Sequence, residues 1–501
     1  MGYLYGASIQ GIQNFIFETN KLKEMIGASE LVNQICEESY KDYFKGKADN
    51  VYLSTAGNIK LVAETEDEIK ELVLKLPKRA QEMAPGITLS QAVVVFDGEL
   101  KKEDMDNLEE KLKIQRNKVN RPSEIGLAAS LRSRRTGKPA SGRTGKPASG
   151  ADNDYELADK GTLEKSRCAD DSTKGLIKCL GENLQVEDFP FDFDDIGSSW
   201  LAVIHADGNA LGKIIQALGK HEGQSELKST YKYFSEAIDK STKSAAQKAF
   251  NEIVKKEKTN GKYPLRPIIL GGDDLTVICR ADIAIPFTVA YLKAFTEETK
   301  NNLSSLKGDF CKTGLTACAG ISFIKKSYPF HYAYKLAETL CKEAKKKSDR
   351  KCSAIAFHKV MSSFVEDYKT IVDRELTAKA SAVITPNGKP SPVTFDFGPY
   401  AIADNPKMPN IEKILGVVNE LPKFKGIKSG LRRWLSELHE NQESAEMLLQ
   451  RINQVAKKKE KDEFDKIISQ LDGNLSLSQL IVREKTPVYD ILSILSLKGD
   501  E

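Results

Sequence analysis

Along the first hundred residues the apolar positions switch repeatedly between two periods. Residues 3–9, 51–55, 59–63 and 89–96 are short runs rich in β-branched, aromatic and other apolar side chains and predict strands, whereas 22–43 and 66–83 space their apolar residues three and four apart and predict helices. The order is βαββαβ. It returns from Trp200, with strands over 200–205, 267–270, 275–279, 315–323 and 353–357, and helices over 211–218, 230–255, 286–306 and 332–347. A pattern that recurs in one chain predicts two tandem copies of a ferredoxin-like unit in an α+β protein.

The remaining segments read differently. Residues 101–199 are polar and predicted irregular, and they hold a tandem octapeptide, RTGKPASG at 135–142 and again at 143–150. It reads as a mobile basic loop, either one that contacts phosphates or, more plainly, a duplicated and tolerated insertion. From 361 to 501 a Pro- and Gly-containing stretch (385–409) gives way to amphipathic helices, including 430–440 and 444–457, which predict a helical docking domain. The expected organisation is 1–100, a first palm-like domain; 101–199, an insertion; 200–360, a second palm domain; and 361–501, a C-terminal helical domain.

Composition narrows the function classes only a little. A chain of 501 residues exceeds a single core, and no apolar run is long enough to span a bilayer, so a cytoplasmic protein without a membrane partner is expected. The eight cysteines are scattered without metal- or redox-type spacing and read as reduced thiols. Lys plus Arg (75) nearly balance Asp plus Glu (71), so overall charge does not argue for nucleic acid. The five histidines are dispersed; His205 and His358, at predicted strand ends, read as packed or hydrogen-bonded side chains.

Chemistry concentrates in the second unit. In a βαββαβ sheet the end of the first strand meets the tip of the hairpin between strands two and three. Here Asp207 follows the first strand and Gly271-Gly272-Asp273-Asp274 forms the tip, so three carboxylates converge as a candidate catalytic centre. Carboxylates that close repel one another unless a cation neutralises them, and hard cations take oxygen ligands. Asp207, Gly208, Asp273 and Asp274 are therefore the candidate metal-holding set, with two Mg2+ or Mn2+ ions as expected cofactors and a nucleoside triphosphate as expected substrate. Gly271 and Gly272 permit a tight turn and close approach of a nucleotide. Gly208 and Asn209 open a segment whose amides could cradle phosphates. Lys345 is a candidate triphosphate contact, or else one of three lysines (345–347) that complement a helix dipole. In the first unit Ser8 stands where Asp207 does, and Ala56-Gly57-Asn58 where the acidic tip is, so that copy is expected to be degenerate.

These residues resemble a known family, the large polymerase/cyclase-like subunit of type III CRISPR effector complexes, with two palm domains similar to those of diguanylate cyclases. Ser8-Ile9-Gln10-Gly11-Ile12-Gln13 with Lys21 to Glu24 is similar to its first palm. Ala206-Asp207-Gly208-Asn209, Gly271 to Leu275, Ala319-Gly320-Ile321-Ser322 and Ala337-Glu338 through Lys345 are similar to its second. The resemblance implies synthesis of cyclic oligoadenylate from ATP in antiviral defence, a lysine contact to the triphosphate at Lys345, and other effector subunits and guide or target RNA as partners. It also implies a variant without the family's N-terminal His-Asp nuclease domain and, with only Cys168 and Cys179 in 101–199, without its zinc insertion. Two alternatives stay open: a non-catalytic scaffold of a guide-RNA complex, and a stand-alone cyclic dinucleotide cyclase acting across a homodimer.

Overall fold

Two β-sheets, each covered by helices, organise the chain. The computed structural model describes all residues except 41–49, 56, 119–128, 145–155, 172–174, 198, 213, 215–226, 307, 309, 363–366, 385–389 and 500–501. The second copy of the octapeptide beyond Thr144, the expected helix at 211–218 past its first turn, and position 56 lie outside the described residues.

The first sheet contains β1 (Gly2–Gln10), β2 (Val51–Thr55), β3 (Asn58–Ala63) and β4 (Thr88–Phe96) in the order β2-β3-β1-β4. Strand β1 is antiparallel to both its neighbours, and Ser8 pairs with Asn58. Alternation along β1 divides the side chains between two faces. Tyr5 and Ala7 pack with Ile69, Leu72 and Leu76 of α2 (Glu66–Met83), while Leu4 packs with Leu108 and Leu112 of α3 (Lys102–Asn117). Helix α2 starts at a capping box in which Thr65 and Glu68 satisfy each other's backbone amides. Helix α1 (Leu22–Glu38) crosses α4 (Lys160–Asp171) so closely that a Cβ on Gly27 would overlap the carbonyl of Lys165.

The segment 101–199 is thus more regular than its polarity predicts. Both α3 and α4 dock onto the first unit, and the first octapeptide copy is held by ion pairs, Arg135 to Glu24 at 2.7 Å and Lys138 to Glu18 at 2.8 Å. Buried Lys165 anchors the same patch through the Phe15 carbonyl (2.8 Å) and Glu18 (3.0 Å). Specific pairing with an acidic surface, invisible to apolar periodicity, orders a basic stretch that reads as mobile in isolation.

The second sheet is built from β5 (Trp200–Gly208), β6 (Leu265–Gly271), β7 (Asp274–Arg280), β8 (Ala317–Lys325), β9 (Ala354–Lys359) and β12 (Tyr400–Ala401), in the order β12-β9-β8-β5-β7-β6. Its strands β8-β5-β7-β6 repeat the first sheet's order; β9 joins parallel to β8. Helices α5 (Leu227–Ala249), α6 (Ala281–Asn302) and α7 (Phe330–Lys347) accompany it. Helix α7 presses directly on β8: a Cβ on Gly320 would lie 1.9 Å from the Ala337 carbonyl oxygen, so only glycine lets the helix come this near. Phe17 of the first unit stacks against Phe330 and Tyr334 of α7 at 5.2 and 4.2 Å between centroids, and Asn20 caps the helix by accepting from the Phe330 amide.

Residues 361–501 are mixed, not purely helical. A hairpin of β10 (Thr377–Ile384) and β11 (Pro390–Thr394) precedes the helices, which include Lys425–Glu440 and Gln442–Val455. In this part Asp490 is buried and accepts a hydrogen bond of 2.5 Å from Tyr400 Oη. Burial lifts its carboxyl from 3.8 to about 7, against the pull of Tyr400 and Lys485. The native state therefore holds a proton that the unfolded state releases, and this contribution is present at acid pH and lost as pH rises through about 7. The Asp490→Asn variant should melt several degrees above the parent at pH 8 and by a clearly smaller margin at pH 5, because the penalty builds up between 3.8 and about 7. Equal shifts at both pH values, measured by calorimetry, would disprove the charge-burial account. No helix among the described residues is long and apolar enough to cross a membrane.

Candidate active site

Strand β5 runs three residues past the predicted end at His205, because Ala206, Asp207 and Gly208 continue the antiparallel ladder opposite Ala319, Cys318 and Ala317 of β8. Asp207 thus lies within the strand, not after it, and its position is fixed by the ladder. The turn at the hairpin tip has two residues, Gly272 and Asp273, since Gly271 and Asp274 are the last pair of β6 and β7. Gly272 takes φ +59°, a left-handed conformation that glycine adopts freely at a two-residue hairpin. Helix α5 clamps the turn from one side. Asp239 Oδ1 accepts from the Gly272 amide (3.0 Å), Thr242 Oγ1 donates to the Gly272 carbonyl (2.7 Å), and Lys243 pairs with Asp239 at 2.7 Å.

The expected carboxylates do come together. Side-chain ligand atoms of His205, Asp207 and Asp274 lie within 4.8 Å of one another. Asp273 lies close enough to Asp207 to feel its charge, and its Cβ would sit 3.2 Å from a Cβ built on Gly208. Burial, then the charge of Asp207, pushes the Asp273 carboxyl up to about 7. Asp274 rises well above the usual carboxylate range through burial and the charges of Asp273 and Asp207. Lys345, 8% exposed, sends its ammonium into this cluster, pairing with Asp207 and donating to the Gly208 carbonyl at 2.7 Å. It is not a solvated helix end. In the first sheet the matching register pair is neutral: Ser8 Oγ donates to Asn58 Oδ1 at 2.9 Å.

The donor set fits a hard divalent cation. Two carboxylates and a backbone carbonyl surround a point where a lysine ammonium now supplies the positive charge, so a cation at this place meets a site already arranged for one. Two cavities flank the hairpin. One, of about 460 Å³, is lined by Gly271 and Asp274 with Gln13, Asn14 and Glu30 of the first unit. The other, of about 520 Å³, is lined by Gly272 and Asp273 with Tyr52, Asn58 and Lys60.

Asn209 stands apart from the expected group. It is 3% exposed and its amide donates to Thr316 Oγ1 (2.9 Å) and the Cys352 carbonyl (3.3 Å), tying the strand end to neighbouring loops. Sequence reasoning missed Asp239 and Thr242, which lie three apart on a polar-rich helix and carry no local signal of their own. His205 is packed and hydrogen-bonded, as expected, and two residues before Asp207 on the strand it shares the face of that carboxylate.

Comparison with known proteins adds the following. Residues 200–354 match the family described as Cas10/Cmr2, second palm domain. No curated protein matches the chain. Among solved structures, Csm1-Csm4 cassettes in complex with pppApApA and with cA3 each align at 14% identity and TM-score 0.53, covering 99% of this chain and 69% of theirs. A cassette in complex with AMPPNP aligns at 15% identity and TM-score 0.45 over 71% of this chain, which spans only 54%, about half, of that relative. At these identities the likeness is one of fold. The matched segment coincides with the sheet that carries the acidic cluster, and residues 200–354 are similar to the Cas10/Cmr2 second palm domain.

Proposed function

We propose that the chain is a metal-dependent nucleotidyltransferase that makes cyclic oligoadenylate from ATP as part of a type III CRISPR effector. The observation that carries this reading is the convergence of Asp207, Asp273, Asp274 and Lys345 on one hairpin tip between two cavities, each large enough for a nucleotide. Cas10-like relatives whose structures are described with pppApApA and cA3 support the product class. The Csm1-Csm4 subcomplex of a type III-A interference complex supports a place among other effector subunits; guide RNA as a partner and a cytoplasmic location are part of the same proposal.

In this reading the two sheets with the same strand order are tandem ferredoxin-like palm domains, at 1–100 and 200–360. Residues 101–199 and 361–501 serve as the insertion between them and the C-terminal docking region. Mg2+ or Mn2+, two ions when bound, neutralise the carboxylates, lower the pKa of an attacking ribose 3′-hydroxyl and stabilise the leaving pyrophosphate. Asp207, Asp274, Asp273 and the Gly208 carbonyl hold that charge in place. The α5 clamp through Asp239 and Thr242 keeps the hairpin at one height above the sheet, which fixes where the α-phosphate must sit. Gly271 and Gly272 leave the backbone open to the nucleotide, and Lys345, now paired with Asp207, is placed to contact the triphosphate; a bound metal would supply the positive charge the lysine gives Asp207. The 3′-oxygen, its proton passing to solvent water, bonds to the α-phosphorus as the bond to the bridging oxygen breaks and pyrophosphate departs.

Incubation of the purified chain with Mg2+ or Mn2+ and each NTP in turn, followed by mass spectrometry, tests the substrate class. Cyclic oligoadenylate from ATP is expected. A cyclic dinucleotide made from GTP alone would overturn the assignment in favour of a stand-alone cyclase.

A further inference from the structure

His205 faces Thr276 across β5 and β7, and its Nδ1 lies 3.3 Å from Thr276 Oγ1. The ring is 5% exposed and meets Tyr334 edge-on, at 5.4 Å and 71°. A ligand-capable ring nitrogen is within 4.8 Å of carboxylate oxygens of both Asp207 and Asp274. An ordinary packed histidine needs a hydrogen bond and apolar neighbours, and this one has both. It does not need to hold a nitrogen beside two acids. Metal-ligating histidines, by contrast, have one nitrogen tied to a neighbouring group and the other aimed at carboxylate co-ligands.

We propose that His205 is a ligand of the cation held by Asp207 and Asp274, and that its nitrogen biases the site toward Mn2+ and later first-row ions over Mg2+. The inference rests on the reading of those two carboxylates as metal ligands. Mg2+ demands oxygen donors in near-ideal octahedral geometry, whereas affinity for an imidazole-containing site rises from Mn2+ along the first row. Thr276 fixes the ring orientation and so acts as a positioning residue.

Electron paramagnetic resonance of Mn2+ bound to the full chain tests this directly. The spin-echo signal should carry modulation from a coordinated nitrogen that changes when the histidines are labelled with 15N, a result that requires no variant to fold. In His205→Phe, which keeps a ring and loses the nitrogens, Mn2+ should bind about 10-fold more weakly while Mg2+ competition shifts far less. Mn2+ bound in a manner lost in Asp274→Asn, yet without nitrogen modulation, would overturn the histidine ligand and leave the carboxylate site standing. Mn2+ binding indifferent to Asp274→Asn would overturn both.

Discussion

Replacing Asp273 and Asp274 together with alanine should lower product formation from ATP by at least about 10³-fold, several kcal/mol of transition-state stabilisation. It should not lower the melting temperature. Both carboxyls are held above their ordinary range by burial and by the neighbouring aspartates, so ionising them in the metal-free folded state carries a cost that alanine removes. The clamp on the turn uses the backbone of Gly272, not the aspartate side chains, and survives the change. A stable, inactive double variant is the expected outcome, read by calorimetry and by product yield. A destabilised one would mean that the carboxyls are structural hydrogen-bonding groups instead.

The second large effect concerns Lys345. Its ammonium is an internal counter-charge to Asp207 and the Gly208 carbonyl. In Lys345→Met the acidic cluster loses that charge, so divalent cations should bind the nucleotide-free protein more tightly, by about tenfold, because they no longer displace a lysine. Turnover should nevertheless fall by about 10²-fold, the loss typical when one group stabilising developing charge is removed. The opposite signs distinguish a lysine that exchanges partners during catalysis from one that only props the site open. Weaker cation binding in the variant, measured by titration calorimetry, would refute the exchange.

How much of this was legible in the sequence differs by element. The Gly271 to Asp274 turn was readable because two glycines and two aspartates between apolar runs leave few other local structures. Its relation to Asp207 followed from the order of elements. The end of β5 did not, since the pairing of Asp207 with Cys318 spans more than a hundred residues and no local pattern encodes it. The helices of 101–199 were hidden by their polarity: α4 stands through burial of Lys165 against Phe15 and Glu18, a tertiary contact that lends a polar segment its structure. Near the C-terminus, Pro390 and Pro392 disguised β11 as a loop, and an edge strand tolerates proline where a central one does not. His205 was read as packed or hydrogen-bonded, and it is both. Its face was readable from Asp207, but its partner Thr276 depends on the register of a hairpin seventy residues away.

The account's central claim is that the carboxylates at this hairpin tip carry nucleotidyl transfer. It is tested most directly by pyrophosphate release from ATP with Mg2+ or Mn2+, comparing the parent chain with the Asp273→Ala/Asp274→Ala variant after both are shown to be folded. The account predicts release by the parent, matched by adenylate joined into product, and none above background by the variant. Equal release by the two proteins would contradict it.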